Sequence, residues 1–213
     1  MAGQIVSEAD FVRALDNIED QANRLDIAHF QYLLGAVLPE SKVDEVKHLR
    51  AYYYLLKHSE HFSTALSLTI HALGIAGLQG QKYDWLLKYE KHEKLYESDV
   101  SLPRFILREL LANIAKKLRK EQTSDLVDHF ARLELNLNPD GPSLPNSPND
   151  EFAKLLQVFT LAEQRELLKP EVKELPTLRA NLKHLGRSDL ITQYLDQYDP
   201  TKRIVLSVQD IEG

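Results

Sequence analysis

Histidine and acidic side chains are the groups in this sequence that could do chemistry, and their spacing decides whether they can act together. His58 and His61 stand three residues apart, which would place two imidazoles on one face of a helix, as part of a zinc site requires. No third ligand has a defined spacing to them, so we predict structural or solvated histidines and no metal site. A metal- or nucleotide-dependent helical enzyme is the alternative interpretation of this pair.

The other patterns that carry catalysis are missing or lie in the wrong context. The chain has no cysteine, which removes thiolate nucleophiles, thiolate metal ligands and disulfides. The glycine-rich segment 74–80 follows a helical pattern and lacks the Lys-Ser/Thr pair of a phosphate-binding loop, so we expect a helix break or close helix packing there. Acid pairs such as Glu19–Asp20 and Asp150–Glu151 are adjacent and point to different sides of a helix. We therefore predict a protein without enzymatic activity, cofactor or metal.

The composition of the 213 residues is typical of a helical globular protein. Hydrophobic residues make up 43% and charged residues 27%, and there are only 8 glycines. Acidic residues outnumber basic ones in both halves and the net charge is −6, which argues against nucleic acid as a partner. No apolar run approaches the ~20 residues of a membrane helix, and the amino terminus does not resemble a secretion signal. We expect a cytoplasmic protein without membrane insertion.

Apolar residues recur every three or four positions along most of the chain, which predicts amphipathic helices. One series of apolar stripes runs from Phe11 to Leu87, and a second runs from Leu107 to Tyr198. Each series has the length of a small domain, and helices of this size have to bury their apolar faces against one another. The sequence therefore predicts an all-α protein made of two antiparallel helical bundles in tandem.

The boundaries follow from composition. The polar stretch 93–101 separates the two series, so we place the first domain in residues 1–96, the second in residues 97–200 and a tail in residues 201–213. The segment 138–150 contains four prolines and one glycine, which predicts an exposed loop inside the second domain. An interdomain linker fits this segment less well, because the pieces on either side of it are too short to bury a core alone.

One segment near the end of the second series combines opposite charges with a turn signal. Residues 186–190 read Gly-Arg-Ser-Asp-Leu, and Arg187 and Asp189 stand two positions apart. Such a pair cannot share one face of a straight helix, so we place it at a turn between two helices, after Gly186. The alternative interpretation is a surface ion pair of small energetic value.

Together with Leu190, Arg187 and Asp189 resemble the Arg-x-Asp-Leu signature of death effector domains. The segment 18–39 is similar in spacing, acid placement and closing proline to the first two helices of the amino-terminal death effector domain of initiator caspases. Over residues 8–198 the chain resembles a tandem death effector domain protein, the class that includes caspase-inhibitory FLIP proteins and initiator-caspase prodomains. The resemblance implies two six-helix bundles of the death-fold type.

The same resemblance implies a charge triad in which an acid on the second helix meets the Arg and Asp of the signature. Asp26 fits this acid in the first domain. In the second domain Asp125 is our choice, with Glu121 as its rival. The first domain has the glycine-rich segment 74–78 in the place of the signature, so it is expected to lack the triad.

The resemblance further implies a hydrophobic docking patch on the second and fifth helices of each domain. In the first domain Phe30, Tyr32 and Leu33 belong to this patch, and in tandem proteins the patch is buried against the second domain. Periodicity puts Phe30 on the core stripe and Tyr32 off it, free to meet a neighbour. The alternative for Tyr32 is an isolated exposed aromatic side chain.

The function that the resemblance implies is non-enzymatic regulation of apoptosis. The protein would bind a death-domain adaptor and initiator-caspase prodomains through homotypic death effector domain contacts, with self-association as a related outcome. Arg187 and Asp189 of the second domain would supply the charged contact surface. The alternatives are a prodomain of a longer initiator caspase and a helical scaffold with unrelated partners.

Overall fold

The computed structural model describes residues 8–38, 49–56, 65–82, 102–136 and 150–202. Within these ranges every regular element is helical and no strand occurs, which confirms the predicted all-α class for the described part. The chain divides into two compact units, one up to Phe105 and the other from Ile106 to Lys202. The predicted domain boundary at residues 96 and 97 falls outside the described ranges and stays a prediction.

Unit 1 is built from amphipathic helices whose apolar stripes face one another. Helix α1 (Glu8–Gln21) packs against α3 (Leu49–Leu56), and α2 (Arg24–Leu34) packs against α4 (Ala65–Ala76). A 3₁₀ turn, Gly35–Val37, follows α2 directly. The predicted stripe of α1 is buried, and the core of the unit includes Phe11, Leu15, Ile18, Phe30, Leu33, Leu49 and Leu73.

Unit 2, which starts at Ile106, is formed in its described residues by five helices and their extensions, and the first of these helices begins three residues earlier, at Pro103. Helix α6 packs against α7, and α8 packs against the helical turns that follow it. Phe130 and Phe159 meet edge to face in the core, with ring centroids 5.9 Å apart. The helices are α5 (Pro103–Lys117), α6 (Lys120–His129), α7 (Glu151–Gln164), α8 (Pro176–His184) and α9 (Ser188–Leu190).

Two of these helices continue with a π-helical turn. After α6 the backbone N–H of Leu135 bonds to the carbonyl of Phe130 at 2.8 Å, and Leu135 is buried. After α9 the N–H of Asp196 bonds to the carbonyl of Ile191 at 2.9 Å, and Leu195 is buried. The sequence predicts an apolar stripe through Ile191, Tyr194 and Tyr198. Ile191 and Tyr198 are buried, and Tyr194 is half-buried.

A fully buried ion pair joins α5 to α7 inside unit 2. Arg108 is 0% exposed and Glu163 is 7% exposed, and the Arg108 Nε lies 3.1 Å from each oxygen of the Glu163 carboxylate. Both side chains are buried, and a buried ionised group needs an opposite charge to offset its desolvation. Sequence periodicity did not predict this pair.

Two helices end on a glycine with positive φ. Gly77 follows α4 with φ 92°, and Gly186 follows α8 with φ 69°. In each case the next residue donates its backbone N–H to a carbonyl five positions back: Leu78 to Leu73 at 2.9 Å, and Arg187 to Leu182 at 2.8 Å. This is the Schellman arrangement. The helix break expected in segment 74–80 therefore lies at Gly77.

The left-handed backbone at Gly186 leads to a simple prediction. We expect Gly186→Ala to lower the free energy of unfolding by about 1 kcal/mol or more, because an L-residue is strained at this φ while the added Cβ would meet no atom within 4 Å. Gly80→Ala is the matched control, since its Cβ also meets open space and its φ is not positive. Urea denaturation measures both variants, and an equal loss in both would contradict a backbone cause.

Several predicted features lie outside the described residues. They are His58 and His61, the end of the first predicted series of stripes near Leu87, segment 138–149 of the proline-rich loop, and the tail from Arg203 onward. Asp150, the last residue of that loop, is described: its carboxylate caps α7 by accepting the N–H of Ala153 at 3.0 Å. Among the helices of the described ranges, none has the length and apolar character needed to cross a membrane.

Candidate protein-interaction site

The Arg-Ser-Asp-Leu segment forms the turn between α8 and α9, as the Gly186 signal predicts. Helix α8 ends at His184, and Arg187 is the N-cap of α9. Two nitrogens of Arg187 donate hydrogen bonds to the Asp189 carboxylate: Nε to Oδ1 at 2.9 Å and Nη2 to Oδ2 at 2.8 Å. This two-pronged geometry fixes both side chains and is stronger than a single neutral hydrogen bond. Leu190 is buried beneath the turn.

The third nitrogen of Arg187 reaches two other helices. Nη1 donates to the carbonyl oxygen of Lys117 at 2.8 Å and to Oε1 of Gln122 at 3.0 Å. Lys117 ends α5, where carbonyls lack partners within the helix and attract cations. Gln122 lies in the first turn of α6 and also accepts the backbone N–H of Arg119 at 3.2 Å. One guanidinium therefore ties together α5, α6 and α9.

Residues 187–190, which form the turn between α8 and α9, are called the charged corner below. Its two charged side chains differ in how far solvent can reach them. The Asp189 side chain is 59% exposed, whereas that of Arg187 is 17% exposed. The hydrogen bonds from Arg187, together with its charge, hold the pKa of Asp189 below its ordinary value. The same hydrogen bonds raise the pKa of Arg187. The structure thus presents an ionised carboxylate to solvent and keeps the guanidinium occupied with internal partners.

The direction of the Asp189 shift predicts how the pair depends on pH. A carboxyl group with a lowered pKa in the folded state stabilises the fold above its ordinary pKa, and this contribution disappears as the pH falls through the folded value. The unfolding free energies of the wild type and Asp189→Asn should therefore differ fully above about pH 5 and converge as the pH falls below the ordinary pKa of aspartate and then through the lowered folded value. Urea denaturation across this range measures the difference, and a gap that widens toward acid would contradict the assignment.

The acids predicted to complete a triad with Arg187 are not the residues that reach it. The side chain of α6 that contacts the guanidinium is Gln122, not Asp125 or Glu121. The reason is helical geometry: α6 begins at Lys120, so Gln122 in its first turn faces the corner, and Asp125 lies nearly one turn further along. Asp125 lines a neighbouring cleft instead.

In unit 1, Asp26 has a capping role. Its backbone N–H donates to Asn23 Oδ1 at 2.9 Å, and its carboxylate accepts from Asn23 Nδ2 at 2.5 Å. This exchange of hydrogen bonds starts α2 and places an acid in its first turn, where the helix dipole favours it. The residue after Gly77 is Leu78, which is buried, so the turn that follows α4 carries no counterpart of Arg187.

The residues predicted as a hydrophobic docking patch are inside the protein. Phe30 and Leu33 are fully buried, as expected for Phe30. Tyr32, predicted to lie off the core stripe and to meet a neighbour, is only 6% exposed, so it is not an isolated exposed aromatic side chain. Every residue from 32 to 38 is buried, so a single apolar stripe does not describe the end of α2 and the turn that follows it.

A cleft of about 710 Å³ lies beside the charged corner, between α6 and the end of α8. His129 of α6 and His184 of α8 contact each other across it, with ring centroids 5.9 Å apart. Arg132 lies 4.0 Å from Asp128 on the same wall. In the part of the chain that the structure describes, no group of three or more His, Asp or Glu side chains is placed to hold a metal ion. The cleft is lined by Arg119, Glu121, Gln122, Asp125, Asp128, His129, Arg132, His184 and Leu185.

Comparison of the chain with protein-family models, with curated proteins and with solved structures finds no match. What the structure defines is an all-α class for the described residues, with a hydrogen-bonded charged corner and, in unit 2, an adjoining cleft formed mostly by charged and polar residues. Arrangements of this kind can bind another protein through charge and hydrogen bonds.

Two partners of Arg187 were missed by the sequence interpretation. The Lys117 carbonyl gives no side-chain signal, so no pattern could have indicated it. Gln122 did give a sequence signal, because it stands three residues after Arg119. At this spacing a Gln or Glu side chain accepts a hydrogen bond from the backbone N–H of the residue that begins a helix. The cleft was also missed, although Asp125, Asp128 and Arg132 recur at three- and four-residue spacing.

Proposed function

We propose that this protein is a non-enzymatic, FLIP-like regulator that controls caspase activation through death effector domain contacts. In this proposal its two units are tandem six-helix bundles of the death-fold type, acting in the cytoplasm. Its partners are a death-domain adaptor and initiator-caspase prodomains. A module of this kind acts without catalysis, because a copy that occupies a contact surface denies it to the next copy.

The observation that supports the proposal is the corner at residues 187–190. The segment matches the signature of the class, and it lies at a turn between helices with its carboxylate exposed. Arg187 fixes the orientation of Asp189 through two hydrogen bonds, so the charge is held in place before a partner arrives. Preorganisation of this kind lowers the cost of binding.

The test is capture of purified death effector domain partners by the full chain. Reversing both charges, with Arg187→Glu and Asp189→Arg, should abolish capture. Because Arg187 also ties three helices together, the sharper variant is Asp189→Lys, which leaves the bonds from Arg187 to Lys117 and Gln122 possible. Asp189→Lys should weaken binding about tenfold or more, since charge reversal puts like charges in contact.

The matched control is Glu174→Lys, which makes the same change in net charge at an exposed acid outside the corner and the cleft. Circular dichroism must show that each variant keeps its helical signal. Equal binding by Asp189→Lys and the wild type would contradict the assigned contact surface. Failure of the wild type to bind any death effector domain partner would contradict the proposed function and favour a scaffold with other partners.

A further inference from the structure

The wall of the cleft that α6 provides is one continuous helical face. Its lining residues follow one another at spacings of three and four: Gln122, Asp125, Asp128 or His129, and Arg132. Glu121, Asp125, Asp128 and Arg132 are all exposed. From Arg119 to Arg132 this face extends for about 20 Å, which is the length of a helix of three to four turns.

Charges along this face have a definite order. Arg119 stands at the start, three carboxylates follow at Glu121, Asp125 and Asp128, and Arg132 stands at the end. The closest pairing within it, Arg132 to Asp128, is at the 4.0 Å limit of an ion pair. Glu121 and Asp125 are like charges four residues apart, an arrangement that destabilises an isolated helix. A cation from outside would relieve this repulsion.

Other residues of the cleft hold one end of this face and form its second wall. Gln122 is held by Arg187 and by the backbone of Arg119. His184 and Leu185, at the end of α8, form the opposite wall, and the contact between His184 and His129 closes one side of the cleft. The cleft is therefore bounded by two helices, and one of its walls carries a definite order of charges.

We propose that this cleft is a docking surface for a helix of another protein, one with basic side chains at its centre and acidic side chains near both ends. Such a helix places positive charge against the three carboxylates and negative charge against the two arginines. The order of charges is the same from either end of this face. Two copies that met in register through it would therefore place like charges together, which disfavours self-association through this face. The inference does not depend on the proposed death effector function.

The probe is a synthetic helical peptide of about four turns, with three lysines in the centre and a glutamate near each end. A second peptide carries the opposite charge order. Fluorescence anisotropy of the labelled peptides with the full chain should show at least about tenfold tighter binding of the matched peptide. The binding should weaken several-fold when salt rises from about 50 to about 300 mM, because exposed charges are screened.

Variants of the protein locate the contact. Asp125→Lys should weaken binding of the matched peptide about tenfold, and Glu174→Lys, outside the cleft, should leave it unchanged. No binding of the matched peptide, equal binding of both peptides, or an unchanged affinity in Asp125→Lys would overturn the proposal. So would concentration-dependent self-association that Asp125→Lys abolishes, since a second copy would then be the occupant. None of these peptides is a death effector domain, so the result is separate from the capture experiment.

Discussion

Replacing Arg108 with methionine is expected to lower the free energy of unfolding by about 3–5 kcal/mol. The substitution keeps a long side chain in place, so packing is largely preserved, but it leaves the Glu163 carboxylate buried without the guanidinium that now lies 3.1 Å away. An uncompensated charge at a site only 7% exposed is among the most destabilising changes a core can receive. Chemical denaturation of the full chain measures the loss.

The double variant Arg108→Met with Glu163→Leu separates this cause from a packing effect. It removes both charges, so most of the loss should be recovered, as is common when a buried ion pair gives way to apolar residues. Lys169→Ala provides the surface control, because its partner Glu166 is exposed and an exposed pair contributes little. If the double variant were as unstable as Arg108→Met, the loss of stability would come from altered packing and not from an unpaired buried charge.

Phe159→Ala is expected to have a comparable effect, about 3–5 kcal/mol. Phe159 is fully buried in α7 and meets Phe130 edge to face, so truncation removes apolar burial and an aromatic contact and leaves a cavity in unit 2. Thermal or urea denaturation, monitored by circular dichroism, measures the change.

Phe159→Leu is the matched variant for this site. It keeps apolar volume and removes the ring, so its loss should be clearly smaller than that of the alanine variant. A loss as small for alanine as for leucine would mean that the surrounding side chains collapse into the space. Because the aromatic pair lies away from the charged corner and the cleft, neither substitution alters the groups assigned to binding.

The helical stripes were the part of the fold most accessible from sequence. Phe11, Leu15 and Ile18 recur with the period of an α-helix, and all three are buried in α1. Periodicity failed where the backbone departs from that period. The π-helical turn after α6 buries Leu135, five residues after the buried Phe130, a spacing that an α-helical stripe does not contain.

At the candidate site, the features that depend on neighbours in sequence could be predicted, whereas the contacts between distant residues could not. The turn at Gly186 and the pairing of Arg187 with Asp189 depend on neighbours in sequence, so they could be predicted. The bonds from Arg187 to Lys117 and Gln122 join residues at least 65 positions apart, and their geometry exists only after α5 and α6 have packed. The burial of Tyr32 has the same origin, since it depends on what surrounds α2.

The several bonds from Arg187 make the shape of its side chain matter as much as its charge. Lysine offers a single ammonium and no planar fork, so it cannot hold both oxygens of Asp189 and also reach the carbonyl that ends α5. An Arg187→Lys substitution would preserve net charge and still disconnect the corner. Substitution scores that treat the two basic residues as equivalent would therefore overlook a change that removes hydrogen bonds between three helices.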